Sequence, residues 1–174
     1  MFEPDDPSRT VGLYGIYSGF AKARLGVAGE RKSIVVGWPV GLGYDGATEV
    51  LDRALDEWNM AAGWQIFILS PDNVDVDVSW HVNDERLVDF GAWTEWDQFD
   101  TGWYRHCRIY THTWGPPLRS TFAHELGHCL GLEDVQTSES GYFGIMSYSR
   151  RGDTFPNNPQ DVASLAAAGY TVGS

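Results

Sequence analysis

Between Ser120 and Val135 the chain reads STFAHELGHCLGLEDV. His124 and His128 stand four apart, Glu125 directly follows the first, Gly131 lies three residues past the second, and Asp134 three further on. On a helix, residues four apart differ by about 40° around the axis, so both imidazoles leave one face and can grip one ion. Imidazole nitrogen is a good donor to zinc, which usually takes four tetrahedral ligands. Glu125 is rotated from His124 by about 100°. It is thereby kept out of the coordination shell but within reach of a water bound to the ion. This is the arrangement of a hydrolase, in which the metal acidifies the water and a carboxylate shuttles its proton to the leaving amine.

Gly131 has a physical task in this scheme. Lacking a side chain, it can take positive φ, end the helix and turn the backbone sharply. The turn could bring Asp134 back as the third protein ligand and leave one position open, which closed structural zinc sites do not. The competing reading is an ordinary core helix. Phe122, Ala123, Leu126, Leu130 and Leu132 are apolar, Cys129 suits a buried small side chain, and the short string H-E-x-x-H also arises by chance. The extension G-x-x-D favours the metal.

Such a site must be carried by a core. The chain has 174 residues, 43% of them hydrophobic and 14% aromatic, which suits one domain and argues against disorder. Its net charge of −12 repels phosphate backbones and anionic membranes, so neither is an expected partner. No apolar run approaches the ~20 residues of a membrane span. The opening MFEPDDPSRT lacks the basic start and apolar segment of a secretion signal. The expectation is that a leader was removed or that the protein reaches its place of work another way. Cys107 and Cys129 are too few for a disulfide scaffold; buried thiols are the default and a single bridge the second option.

Residues 1–30 read as a tail or extension and 31–174 as the working domain. Ser33–Leu42 opens with a β-branched run and breaks at Pro39, which predicts a short buried strand. Val50, Leu51, Ala54, Leu55 and Trp58 recur at three and four, predicting an amphipathic helix from near Asp45–Thr48 to Gly63. Strands are expected at Trp64–Ser70, at Val74–Val82, and in DFGAWTEW and HCRIYTHTW. Val74, Val76 and Val78 should share one strand face and Asp75 and Asp77 the other. A half-solvated strand explains those aspartates without calcium, and no calcium-loop pattern is present. Near the end, NNPQDVASLAAAGY reads as a helix with Asn158 as N-cap, Pro159 in the first turn and Asp161 at the third position. The order implies an α/β (α+β) layout with one mixed sheet.

The segment HELGHCLGLED resembles the zinc-binding motif of the metzincin metallopeptidases, H-E-x-x-H-x-x-G-x-x-H/D, in the aspartate-ending form of the small snapalysin-like members. The family also has a methionine turn beneath the metal, for which YFGIMSYS offers Met146, 18 residues beyond His128. ALDEWNMAAGWQIFIL is similar to the first helix and second strand of matrixin-like catalytic domains, and NPQDVASLAAAGY to their closing helix. The likeness spans about residues 33–170. It implies a single metzincin-like domain: a twisted five-stranded mixed sheet, an active-site helix beneath it, the methionine turn and a C-terminal helix. GAWTEW would be the edge strand that holds an extended peptide and HCRIYTHT its inner neighbour.

The resemblance further implies one catalytic zinc ion on His124, His128 and Asp134, with Glu125 as general base and acid and with Gly131 and Met146 as supports. Some relatives use a tyrosine at the position of Tyr148 as a displaceable ligand or as a donor to the reaction intermediate; others lack it. The expected function is that of a monomeric zinc endopeptidase acting on a peptide or protein substrate. The alternatives are a catalytically silent metal-binding protein, such as a virion component, and an amidase of cell-wall peptides. Family members usually act outside cells, and a leaderless copy could be released by lysis or carried by a phage. With an aspartate ligand the site keeps a net charge near +1, so bound water should be less acidic than the pKa of about 7 typical of three-histidine zinc. His81, His106 and His112 read as structural histidines. The RGD at Arg151–Asp153 reads as a chance match, and Arg150 and Arg151 fall where family members build the wall of a substrate pocket.

Overall fold

The structure is a computed structural model that describes residues 33–40, 46–81, 92–98, 104–112, 119–134, 144–147, 156, 159–168, 170 and 172–173. The expected tail at 1–30, Tyr148, Arg150, Arg151 and Asn158 lie outside the described residues. The described residues form five strands and three helices, in the order β1 (Ile34–Val36), α1 (Ala47–Ala62), β2 (Phe67–Leu69), β3 (Val76–His81), β4 (Ala92–Gln98), β5 (Tyr104–His112), α2 (Arg119–Cys129) and α3 (Pro159–Ala167). This is the mixed α+β architecture that the sequence predicts.

The strands form one sheet in the order β2-β1-β3-β5-β4. β1 pairs in parallel with β2 and β3, and β3 in parallel with β5. β4 runs antiparallel to β5 and is the last strand of the sheet among the described residues, with Thr94 opposite Ile109 and Trp96 opposite Cys107. Among the described residues, Ala92–Trp96 of the segment GAWTEW thus lie on the edge strand and His106–His112 on its inner neighbour.

Strand alternation decides what faces the helices. In β5, Cys107, Ile109 and Thr111 are buried, and in β4 Ala92 and Thr94. Val76 and Val78 of β3 are buried as well, while Asp75 and Asp77 turn the other way. The Asp75 carboxylate accepts the Val35 N–H at 2.8 Å. That of Asp77 meets His106 Nε2 at 2.7 Å. Both aspartates and His106 are thereby engaged within the sheet, in the structural role read from the pattern.

α1 follows its apolar stripe, burying Leu51, Ala54, Leu55, Trp58, Ala61 and Ala62, and stops where Gly63 takes a φ of 72°. It packs on β2 and α2, while α2 packs on β4 and β5. The core between sheet and helices is continuous, with Trp58, Phe67, Phe122, Ile109 and Leu126 all sealed from solvent. The indole of Trp58 donates to the Ala123 carbonyl at 2.7 Å and ties α1 to α2.

Cys107 and Cys129 form a disulfide with a Cα–Cα separation of 5.8 Å, which corrects the default expectation of two thiols. The reason is tertiary. β5 presents Cys107 on its helix-facing side, and α2 ends on Cys129 above it. Neither the count of cysteines nor their separation of 22 residues carries that information.

Candidate metal centre

α2 ends in two hydrogen bonds that define a left-handed glycine cap. Gly131 N–H donates to His128 O at 2.8 Å and Leu132 N–H to Gly127 O at 3.0 Å. Gly131 sits at φ 87°, a conformation that a side chain would strain. The turn reverses the chain and returns Asp134 to the helix, as the spacing predicts.

His124, His128 and Asp134 converge. His124 Nε2 lies 3.0 Å from Asp134 Oδ1, and His128 Nε2 lies 3.7 Å from the same oxygen. One ligand atom from each residue falls within 4.8 Å of the others. The far nitrogen of each ring fixes its tautomer. His124 Nδ1 is 2.8 Å from the Ile145 carbonyl, and His128 Nδ1 is 2.8 Å from the Leu132 carbonyl. A carbonyl can only accept, so each Nδ1 carries its proton and each Nε2 turns a lone pair toward the carboxylate.

Two nitrogen lone pairs and a carboxylate oxygen aimed at one point repel one another unless a cation lies among them. Two of the three spacings bracket the value such a cation would set. Tetrahedral ligands at the ~2.0–2.1 Å of zinc–nitrogen or zinc–oxygen bonds stand about 3.4 Å apart, between the two distances observed. In an ion's absence a proton on one ring can take its place, so metal binding releases protons. Burial, and then the neighbouring His124, hold the His128 imidazole below its ordinary pKa of 6.5, against the opposing pull of Asp134 and Glu125. The neutral ring, which is the ligating form, is favoured.

The sequence matches no family model and no curated protein. The reading of the centre therefore rests on its own geometry.

The supports lie under α2. A Cβ on Gly127 would meet Trp58 Cζ2 at 3.1 Å and Met146 Cε at 3.2 Å, with Met146 Sδ closer still. Met146, 1% exposed, thus seats its sulfur in the notch that Gly127 leaves on α2, one residue before His128. That contact holds the segment whose Ile145 carbonyl orients His124. The same segment is held from α3, where the buried Asp161 carboxylate accepts the Ile145 N–H at 3.1 and 3.2 Å. Asp161, read from sequence as a first-turn helix residue, also holds the turn that carries Met146.

Glu125 is buried beside the cluster, near enough for its charge to act on His128, and its Oε2 accepts the Thr94 hydroxyl of β4. Sequence reasoning missed Thr94, Ile145 and Leu132 because their roles depend on contacts between elements. Gly127, a glycine inside a helical pattern, was the one local signal of close packing. The side chains of His81 and His112 lie outside the described set.

Proposed function

We propose that the chain is a zinc-dependent endopeptidase of metzincin type. The observation that carries the reading is the convergence of the His124 and His128 Nε2 lone pairs on Asp134 Oδ1, with both Nδ1 protons tied to backbone carbonyls and a buried carboxylate at the adjacent residue. The donor set of two imidazoles and one carboxylate suits zinc, leaving one of its four tetrahedral positions for reactants.

When bound, the ion supplies Lewis acidity, polarising a substrate carbonyl and making water a better nucleophile near neutral pH. His124, His128 and Asp134 would hold it. Glu125 would accept the proton of the attacking water on the carboxylate and deliver it to the departing amine nitrogen. The carbonyl carbon gains the water oxygen, the carbon–nitrogen bond breaks, and the proton ends on the amine, with no covalent enzyme adduct. β4 ends the sheet in the described structure, and an extended peptide can add along such an edge through main-chain hydrogen bonds. A buried disulfide is compatible with work outside a reducing cytosol.

The test is cleavage of denatured casein by the zinc-loaded protein, with and without a chelator, beside Glu125→Gln. The expected result is chelator-sensitive cleavage by the wild type. The variant should bind zinc and fold normally while its kcat drops about 10²–10⁴-fold, the range for losing a general acid–base group. Wild-type activity in Glu125→Gln would remove the proposed base. Full zinc occupancy with no cleavage of any peptide would favour the catalytically silent alternative.

A further inference from the structure

We infer that Thr94 of edge strand β4 is a positioning residue for the Glu125 carboxylate, so that the strand proposed to receive substrate also sets the aim of the base. The inference rests on the peptidase reading above. Thr94 is 2% exposed and Glu125 is 7% exposed. The Thr94 hydroxyl donates to Glu125 Oε2, and Thr94 Oγ1 also lies 3.5 Å from the Glu125 backbone carbonyl oxygen. One side chain therefore touches both ends of the glutamate.

The chemistry favours orientation as its task. A glutamate has three side-chain torsions, and a base that must meet one water in one direction gains from losing that freedom beforehand. Threonine is stiff at its first torsion because it branches at Cβ. Held by the ladder to β5 through Ile109, its hydroxyl is a fixed post rather than a mobile arm. With Oε2 receiving that hydrogen bond, Oε1 is the oxygen assigned to the proton from water. Strand alternation turns Thr94 inward, with Ala92, and leaves Trp93 and Glu95 on the other side. The contact therefore does not compete with main-chain pairing of a peptide along β4.

The test compares Thr94→Val and Thr94→Ser with wild type and Glu125→Gln, all zinc-loaded. The readouts are kcat, KM, bound zinc and thermal midpoint. Valine keeps the shape and removes the donor; serine keeps the donor. If Thr94 aims the base, Thr94→Val loses about 10–100-fold in kcat with KM and bound zinc at wild-type values, and Thr94→Ser recovers most of the rate. Wild-type kcat in Thr94→Val overturns the inference and leaves the peptidase reading standing. So does a loss that tracks zinc content or folded fraction, which marks a purely structural tie, or a serine variant as impaired as the valine one. A wild type that binds zinc and cleaves nothing overturns the peptidase reading itself, and this inference with it.

Discussion

Replacing Gly127 by alanine sets two effects of opposite sign against each other. In an exposed helix interior, alanine is better than glycine by about 1 kcal/mol. Here the added methyl would lie 3.1 Å from Trp58 Cζ2 and 3.2 Å from Met146 Cε, and nearer still to Met146 Sδ. Ordinary contact between such atoms is about 3.5–4.0 Å. Methionine is adaptable, but Met146 is 1% and Trp58 0% exposed, so neither can retreat into solvent. Overpacking of this kind costs about 1–3 kcal/mol, and after the propensity gain a net loss of up to about 2 kcal/mol is expected.

For a domain of this size that lowers the thermal midpoint by up to about 8 °C. The displacement also moves the Ile145 carbonyl, next to Met146, which orients His124. Zinc affinity should therefore fall about 10-fold or more, as for lost partners of metal ligands generally. Calorimetry with a competitive zinc titration measures both, and Met146→Ala added to Gly127→Ala should restore part of the affinity by vacating the notch. A Gly127→Ala protein as stable as wild type, binding zinc equally well, would refute the packing argument.

The Cys107–Cys129 bridge closes a loop of about 22 residues. Chain entropy assigns that closure about 3 kcal/mol, so Cys107→Ala/Cys129→Ala should melt about 6–12 °C lower. An unchanged melting point would show that the bridge contributes nothing. For His128, the unfolded chain takes up its proton near pH 6.5, while the folded chain does so only at lower pH. The unfolded state thus binds more protons under acid conditions, and stability falls as pH drops below the unfolded value. Metal-free wild type should lose more stability between about pH 7.5 and 5.5 than His128→Gln, as judged by urea unfolding. Equal losses in the two proteins would contradict the burial of that ring.

What was legible in the sequence was local. The two histidines, the glycine turn and Asp134 lie within one segment, and helical periodicity with one glycine dihedral suffices to bring them together. α1 was readable at both ends because its apolar stripe stops at Gly63. Alternation marked Val76 and Val78 as core and Asp75 and Asp77 as their opposites. The unread parts join elements far apart in the chain. Thr94 reaches Glu125 because β4 packs on α2, Asp161 reaches Ile145 because α3 meets the turn that carries Met146, and Cys107 meets Cys129 through the packing of β5 on α2. No residue spacing encodes those contacts, and only the docking of the layers creates them.

The central claim is that His124, His128 and Asp134 together hold one divalent ion. Its most direct test is elemental analysis after dialysis against zinc, on wild type and on Asp134→Ala. The account predicts one zinc per wild-type chain, and an affinity at least about 10-fold weaker when the carboxylate is removed. A wild-type chain that retains no transition metal, or an Asp134→Ala chain that binds zinc as tightly as wild type, would contradict it.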